Sequence, residues 1–108
     1  MKFKLSFLRE AMKDYKGLDG SQKIVVDKAL QRISLNPYLD KDGGYGKALS
    51  NHNNSKLAGL IKFKLRSSGI RIVYKLEKKK DEVLVIVIGM REDSKVYKEA
   101  AKRVAKLK

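Results

Sequence analysis

The chain has 108 residues, with 26 Lys and Arg against 12 Asp and Glu and a formal net charge of +14. That length suits one compact domain spanning 1–108 and not two, and the charge exceeds what solubility requires, so a polyanion, nucleic acid first, is the partner class it fits. With no cysteine, disulfide scaffolds, thiol nucleophiles and thiolate metal sites are excluded.

In chain order, residues 2–6 alternate apolar and polar, the period of a half-buried strand. Ser6 is placed to cap a first helix carrying Phe7, Leu8, Ala11, Met12 and Tyr15 on one face and closed by Gly17. Asp19 followed three residues later by Gln22 forms a capping-box pattern, and Val25, Val26, Ala29, Leu30 and Ile33 recur at helical spacing until Asn36 and Pro37 end the segment. A helical hairpin follows from the short link between these two helices. Residues 40–55, with "DKDGGYG" and "SNHNNS", read as a mobile loop.

Three strands are expected next, over 60–66, 70–76 and 82–91, the first two joined by a Ser-Ser-Gly turn and the last two by "EKKKDE". A last helix, capped by Asp93 or Ser94, presents Val96, Tyr97, Ala100, Ala101 and Val104 on one side. The order β-α-α-β-β-β-α predicts an α+β fold with a mainly antiparallel four-stranded sheet and an N-terminal helical hairpin. The longest apolar run, residues 83–90, is well short of the ~20 residues of a membrane helix. The N-terminus alternates and does not form the apolar core of a signal peptide, so a cytoplasmic protein without a membrane partner is expected.

Charge is concentrated in the second half: residues 56–108 hold 16 basic and 6 acidic side chains, against 10 and 6 in residues 1–55. Aligning the apolar faces of the hairpin "IKFKLRSSGIRIVYK" pairs Leu65 with Ile70 and Phe63 with Ile72, which sets Lys64 opposite Arg71 with Lys62 on the same face. Val83, Val85, Val87, Gly89 and Arg91 share one face of the third strand by parity, so Arg91 joins the group if that face is the same one. Like charges directly opposite one another destabilise a sheet, and a face of Lys62, Lys64 and Arg71 without interleaved carboxylates calls for an anion such as phosphate. Arg66 and Lys75 extend the basic surface as RNA or rRNA contacts, although an ordinary solvated face also accounts for them. His52, the single histidine, lies in a polar loop and supplies neither an acid–base pair nor a metal cluster; no P-loop occurs. No metal or other cofactor is expected.

The stretches "LAGLIKFKLRSSGIRIVYKL" and "VLVIVIGMREDSKVYKEAAKRV" resemble the RelE family of bacterial toxins from type II toxin–antitoxin pairs, over residues 57–104. The resemblance implies an endoribonuclease that cuts messenger RNA in the ribosomal A site, on a fold related to small microbial ribonucleases, restrained by a cognate antitoxin, here expected to be acidic. It implies functional roles for Lys62, Lys64, Arg71, Arg91 and Tyr97, without the histidine and glutamate pair of ordinary ribonucleases. Two departures stand out: Met90 and Asp93 flank the Arg91-Glu92 pair where the family often has basic residues, and residues 41–55 form a longer loop. Spacing alone reads Tyr97 as a core residue and Arg91 as a strand terminus.

In such a site the cations stabilise charge that builds on the phosphoryl oxygens during attack by a ribose 2′-hydroxyl. Tyrosine and lysine are both ordinarily protonated at neutral pH, and a cationic surrounding favours the deprotonated form of either, so Tyr97 and the lysines both stay open as general base. Arg91 would hold the leaving 5′ oxygen or its phosphate. Two other readings remain: a ParE-like toxin that poisons DNA gyrase, which the resemblance to the superfamily also allows, and a non-enzymatic RNA- or ribosome-binding protein, which the +14 charge alone would explain.

Overall fold

The computed structural model describes residues 2–49, 57–90 and 92–107. His52 and Arg91 lie outside the described residues. Within them the chain forms β1 (Lys4–Phe7), α1 (Arg9–Lys16), α2 (Gly20–Leu35), β2 (Lys47–Ala48), β3 (Leu60–Leu65), β4 (Ile70–Glu77), β5 (Glu82–Gly89) and α3 (Asp93–Ala105). The strands make one sheet in the order β1-β5-β4-β3-β2, parallel at β1/β5 and antiparallel elsewhere.

The fold is α+β with a mainly antiparallel sheet, but the sheet has five strands where four were expected. The additional strand, β2, is two residues long, too short to carry an alternating pattern. It comes from the segment read as a mobile loop. Residues 40–49 are instead held down: the Asp40 N–H donates to the Gly46 carbonyl at 2.7 Å, the Gly44 N–H to that of Leu39 at 2.9 Å, and the Asn36 side chain to that of Gly43 at 3.0 Å.

Helices α1 and α2 cover one face of the sheet. Ala11, Val26, Ala29, Leu30 and Ile33 pack there on Ile61, Phe63, Ile70, Ile72, Tyr74, Val83 and Val85. Helix α3 covers the other, with Val96, Tyr97, Ala100 and Ala101 against Leu49, Leu60, Val73, Ile86 and Val87. Each fully buried Ile or Val contributes about 1.5–3 kcal/mol. The Asp19–Gln22 capping box is present, each side chain accepting from the other residue's backbone N–H. Strand β1 continues to Phe7, so the residue preceding α1 is Leu8 and not Ser6, and α3 begins at Asp93 itself, after Glu92.

One irregularity decides which side chains face α3. Val73 pairs with Val87, but its neighbour Tyr74 pairs with Val85, so Ile86 is an extra residue and β5 is bulged there. Strict parity is therefore broken: Val83 and Val85 face α1 and α2, whereas Val87 faces α3. No helix among the described residues is long and apolar enough to cross a membrane.

Candidate nucleic-acid interface

Strand pairing builds the basic face. Within β3, Leu60, Lys62 and Lys64 alternate with Ile61, Phe63 and Leu65, and since the latter set fills the α1–α2 core, the lysines must point to the α3 side. The pairings Leu65–Ile70, Lys64–Arg71 and Phe63–Ile72 are those the apolar pattern predicts. Gly69, with φ +74°, makes the turn that allows this register. Arg71 in turn donates from Nη1 to the Gly69 carbonyl at 2.7 Å, which fixes its guanidinium beside the turn.

Tyr97 lies on α3 with its ring 4% exposed and its hydroxyl buried. The Lys62 ammonium sits 5.3 Å from its ring centroid, a cation–π contact of about 0.5–2 kcal/mol. Sheet and last helix thus bring Lys62, Lys64, Arg71 and Tyr97 to one side of the molecule. Lys75 shares that face by alternation but lies about 13 Å further along β4 than Arg71, and it is ion-paired with Glu77 at 3.2 Å. Arg66 is exposed just beyond β3.

A cleft of about 600 Å³ opens beside β3, lined by Tyr45, Lys47, Lys62, Lys64 and Arg66. Among the described residues that line it, four cations and one aromatic ring stand together with no carboxylate, chemistry that suits an anion carrying a flat, unsaturated group. Tyr45 and Lys47 escaped the sequence reading. Lys47 stands directly opposite Lys62 in the β2/β3 ladder, but nothing local marks a two-residue strand. The one available signal was an aromatic between glycines, followed by a lysine, in "GGYGK".

No family model matches the chain. Among characterised proteins, the mRNA interferase toxin RelE of Escherichia coli is 34% identical over 107 residues, spanning 96% of this chain and 99% of the relative. A putative RelE-like toxin protein from the same species is 29% identical over the same shares. Among solved structures, a mutant E. coli toxin RelE in the free state superposes with a TM-score of 0.69 at 31% identity, covering 95% of this chain and 98% of that one. The toxin in the intact E. coli RelBE toxin–antitoxin complex matches at a TM-score of 0.64 and 27% identity, over 83% and 98%. The similarity runs well beyond residues 57–104, through the helical hairpin and nearly to both ends. The chain belongs to the RelE family.

Proposed function

We propose that the protein is an mRNA interferase toxin: an endoribonuclease that cleaves messenger RNA on the translating ribosome in the cytoplasm, held inactive by a cognate acidic antitoxin. The observation that carries this reading is the row of cations, Lys64 directly opposite Arg71 with Lys62 on the same face, in a chain so similar to RelE. Like charges directly opposite one another weaken a sheet, and a phosphate bound between Lys64 and Arg71 interacts favourably with both.

Cleavage proceeds by attack of the ribose 2′-oxygen on the adjacent phosphorus. A bond from the 2′-oxygen to phosphorus forms, the bond to the 5′ oxygen breaks, the 2′ proton passes to a general base, and a proton is delivered to the leaving oxygen. Lys62, Lys64 and Arg71 stabilise charge on the non-bridging oxygens, more in the transition state than in the ground state. Arg91 holds the leaving group, and Tyr97 or one of the lysines is the base. Arg66, and more weakly the Glu77-paired Lys75, contact RNA outside the reacting centre. Because side chains supply the positive charge, cleavage is expected to survive EDTA.

Induced expression in bacterial cells tests the reading. Protein synthesis should stop with messages cut, the fragments ending in 2′,3′-cyclic phosphate and 5′-hydroxyl. Lys64→Ala and Arg91→Ala should each abolish the arrest, and co-expression of the antitoxin should relieve it. Arrest with intact messages would sink the nuclease reading and point to a target such as DNA gyrase.

A further inference from the structure

The cleft at the β2 edge has more cationic and aromatic equipment than phosphoryl transfer at Lys62, Lys64 and Arg71 requires. We propose that it is an RNA subsite next to the scissile phosphate, in which Lys47, the cross-strand neighbour of Lys62, holds the next phosphate and Tyr45 stacks on a base. This rests on the nuclease reading above and deepens it.

Three observations support it. First, Lys47 and Lys62 are direct cross-strand partners, with Cβ atoms about 5 Å apart, and the lining adds Lys64 and Arg66, with no carboxylate among the described residues there. The row Lys47–Lys62 is displaced by two residues of β3, about 6.7 Å, from the row Lys64–Arg71, a step comparable with the spacing of successive phosphates along an extended single strand. Adjacent phosphates can therefore meet different cations, the scissile one at Lys62, Lys64 and Arg71 and the next one at Lys47.

Second, Tyr45 is 54% exposed although it is aromatic. Its ring makes an edge contact with Phe63, centroids 6.1 Å apart at 68°, so it is anchored yet still largely open. Stacking on such a ring is tolerant of base identity.

Third, the platform is fixed by its neighbours. A Cβ on Gly46 would lie 2.3 Å from Ile61 Cγ2 and 2.8 Å from the Tyr74 hydroxyl, and one on Gly44 would lie 1.9 Å from the Tyr38 carbonyl oxygen. The glycines on either side of Tyr45 let the backbone lie flat on the sheet edge, which holds Tyr45 and Lys47 at the mouth of the cleft. An acidic peptide would engage the cations, but it gives no use for a fixed aromatic ring beside two rows spaced like phosphates; single-stranded RNA uses all of these parts.

The test is fluorescence anisotropy with a short labelled RNA, 2′-O-methylated throughout so that it cannot be cut, titrated with the full chain over a range of salt. Lys47→Ala should weaken binding and make the slope of log K against log salt shallower by about 0.7, the loss of one phosphate contact on a single strand. Tyr45→Ala should weaken binding about fivefold or more with an unchanged slope, and Tyr45→Phe should restore it. Both sites are exposed, and thermal melts identify any variant that fails to fold; the Lys47→Ala slope then decides alone. Wild-type affinity and slope in both alanine variants, from a wild type that cuts messages, would overturn the subsite and leave the nuclease reading intact. A wild type that binds no free RNA at any salt would overturn the subsite, while the nuclease reading is decided separately by whether messages are cut on expression. Variants that lose an acidic antitoxin peptide but keep RNA would reassign the cleft to protein binding and overturn the proposal.

Discussion

Tyr97 has an observed packing role and a proposed chemical one, and single substitutions separate the two. Its ring is part of the core beneath α3, packed with Val96 and Ala100 and lying under the Lys62 ammonium. Truncation to alanine would cost about 3–5 kcal/mol of stability and disturb Lys62 as well, so a dead Tyr97→Ala variant says little about chemistry. Tyr97→Phe keeps the ring and removes only the hydroxyl. If the hydroxyl is the general base, single-turnover cleavage should fall at least about tenfold with the thermal melt unchanged, about 1.4 kcal/mol of transition-state stabilisation. Full activity would pass the role of base to Lys62 or Lys64. The same residue shows how far a sequence carries a site. Register alone groups Lys62, Lys64 and Arg71, because the Phe63 and Ile72 faces admit one pairing. Tyr97 enters only through family resemblance, since its helical spacing marks a core residue, and the structure buries it as one.

Among the elements, β5 is held beyond the end of β1 by side chains from both flanking helices. Strand β1 pairs with β5 only from Glu82 to Val85. Beyond that point α1 takes over the edge: the Ile88 N–H donates to Asp14 Oδ2 at 3.1 Å, and the carbonyl of the bulged Ile86 accepts from Arg103 Nη1 at 2.9 Å. Arg103 also donates to Asp14 at 2.7 Å and to Glu99 at 2.8 Å, with its side chain 10% exposed. Burial works against its charge, but the hydrogen bonds to Asp14 and Glu99 more than offset this and raise its pKa. Arg103→Ala would strand Asp14 and the Ile86 carbonyl, at a cost of about 3 kcal/mol and a fall in Tm of roughly 10 °C or more. A melt within about 2 °C of wild type would show the network to be dispensable. The Arg103 hydrogen bond lowers the pKa of Glu99, so its contribution is complete above the ordinary value of 4.5 and fades as pH falls through the lowered one. The Arg103→Ala deficit should narrow in acid accordingly. None of this was legible in the sequence. Long periodic elements, the Asp19–Gln22 box and the Ser-Ser-Gly hairpin are local and could be read; the Ile86 bulge, the two-residue β2 and the Asp14–Arg103 bridge, 89 residues apart, exist only through tertiary contact.

At the scale of the whole molecule, a net charge of +14 favours RNA of any sequence equally, and binding of that kind would select no cleavage point. Selection has to come from geometry. The grouped site residues Lys62, Lys64, Arg71 and Tyr97 supply cations and a phenol but no group that ordinarily accepts a proton near neutral pH, and the Tyr97 hydroxyl is buried in the structure as it stands. A flexible message on this surface would seldom bring its 2′-oxygen in line with the breaking bond. A ribosome that bends the message and fixes the reacting groups converts that search into an intramolecular event, an orientation effect worth up to about 7–11 kcal/mol in the best cases. Cleavage is therefore expected to depend on translating ribosomes. Single-turnover rates on programmed ribosomes should exceed those on the same naked message by at least about a thousandfold, roughly 4 kcal/mol. Raising salt should weaken binding to naked RNA steeply without producing cuts at any salt. Equal rates with and without ribosomes would mean that the chain orients its own substrate and holds a base already poised near neutrality, and would overturn the ribosome-dependent mechanism.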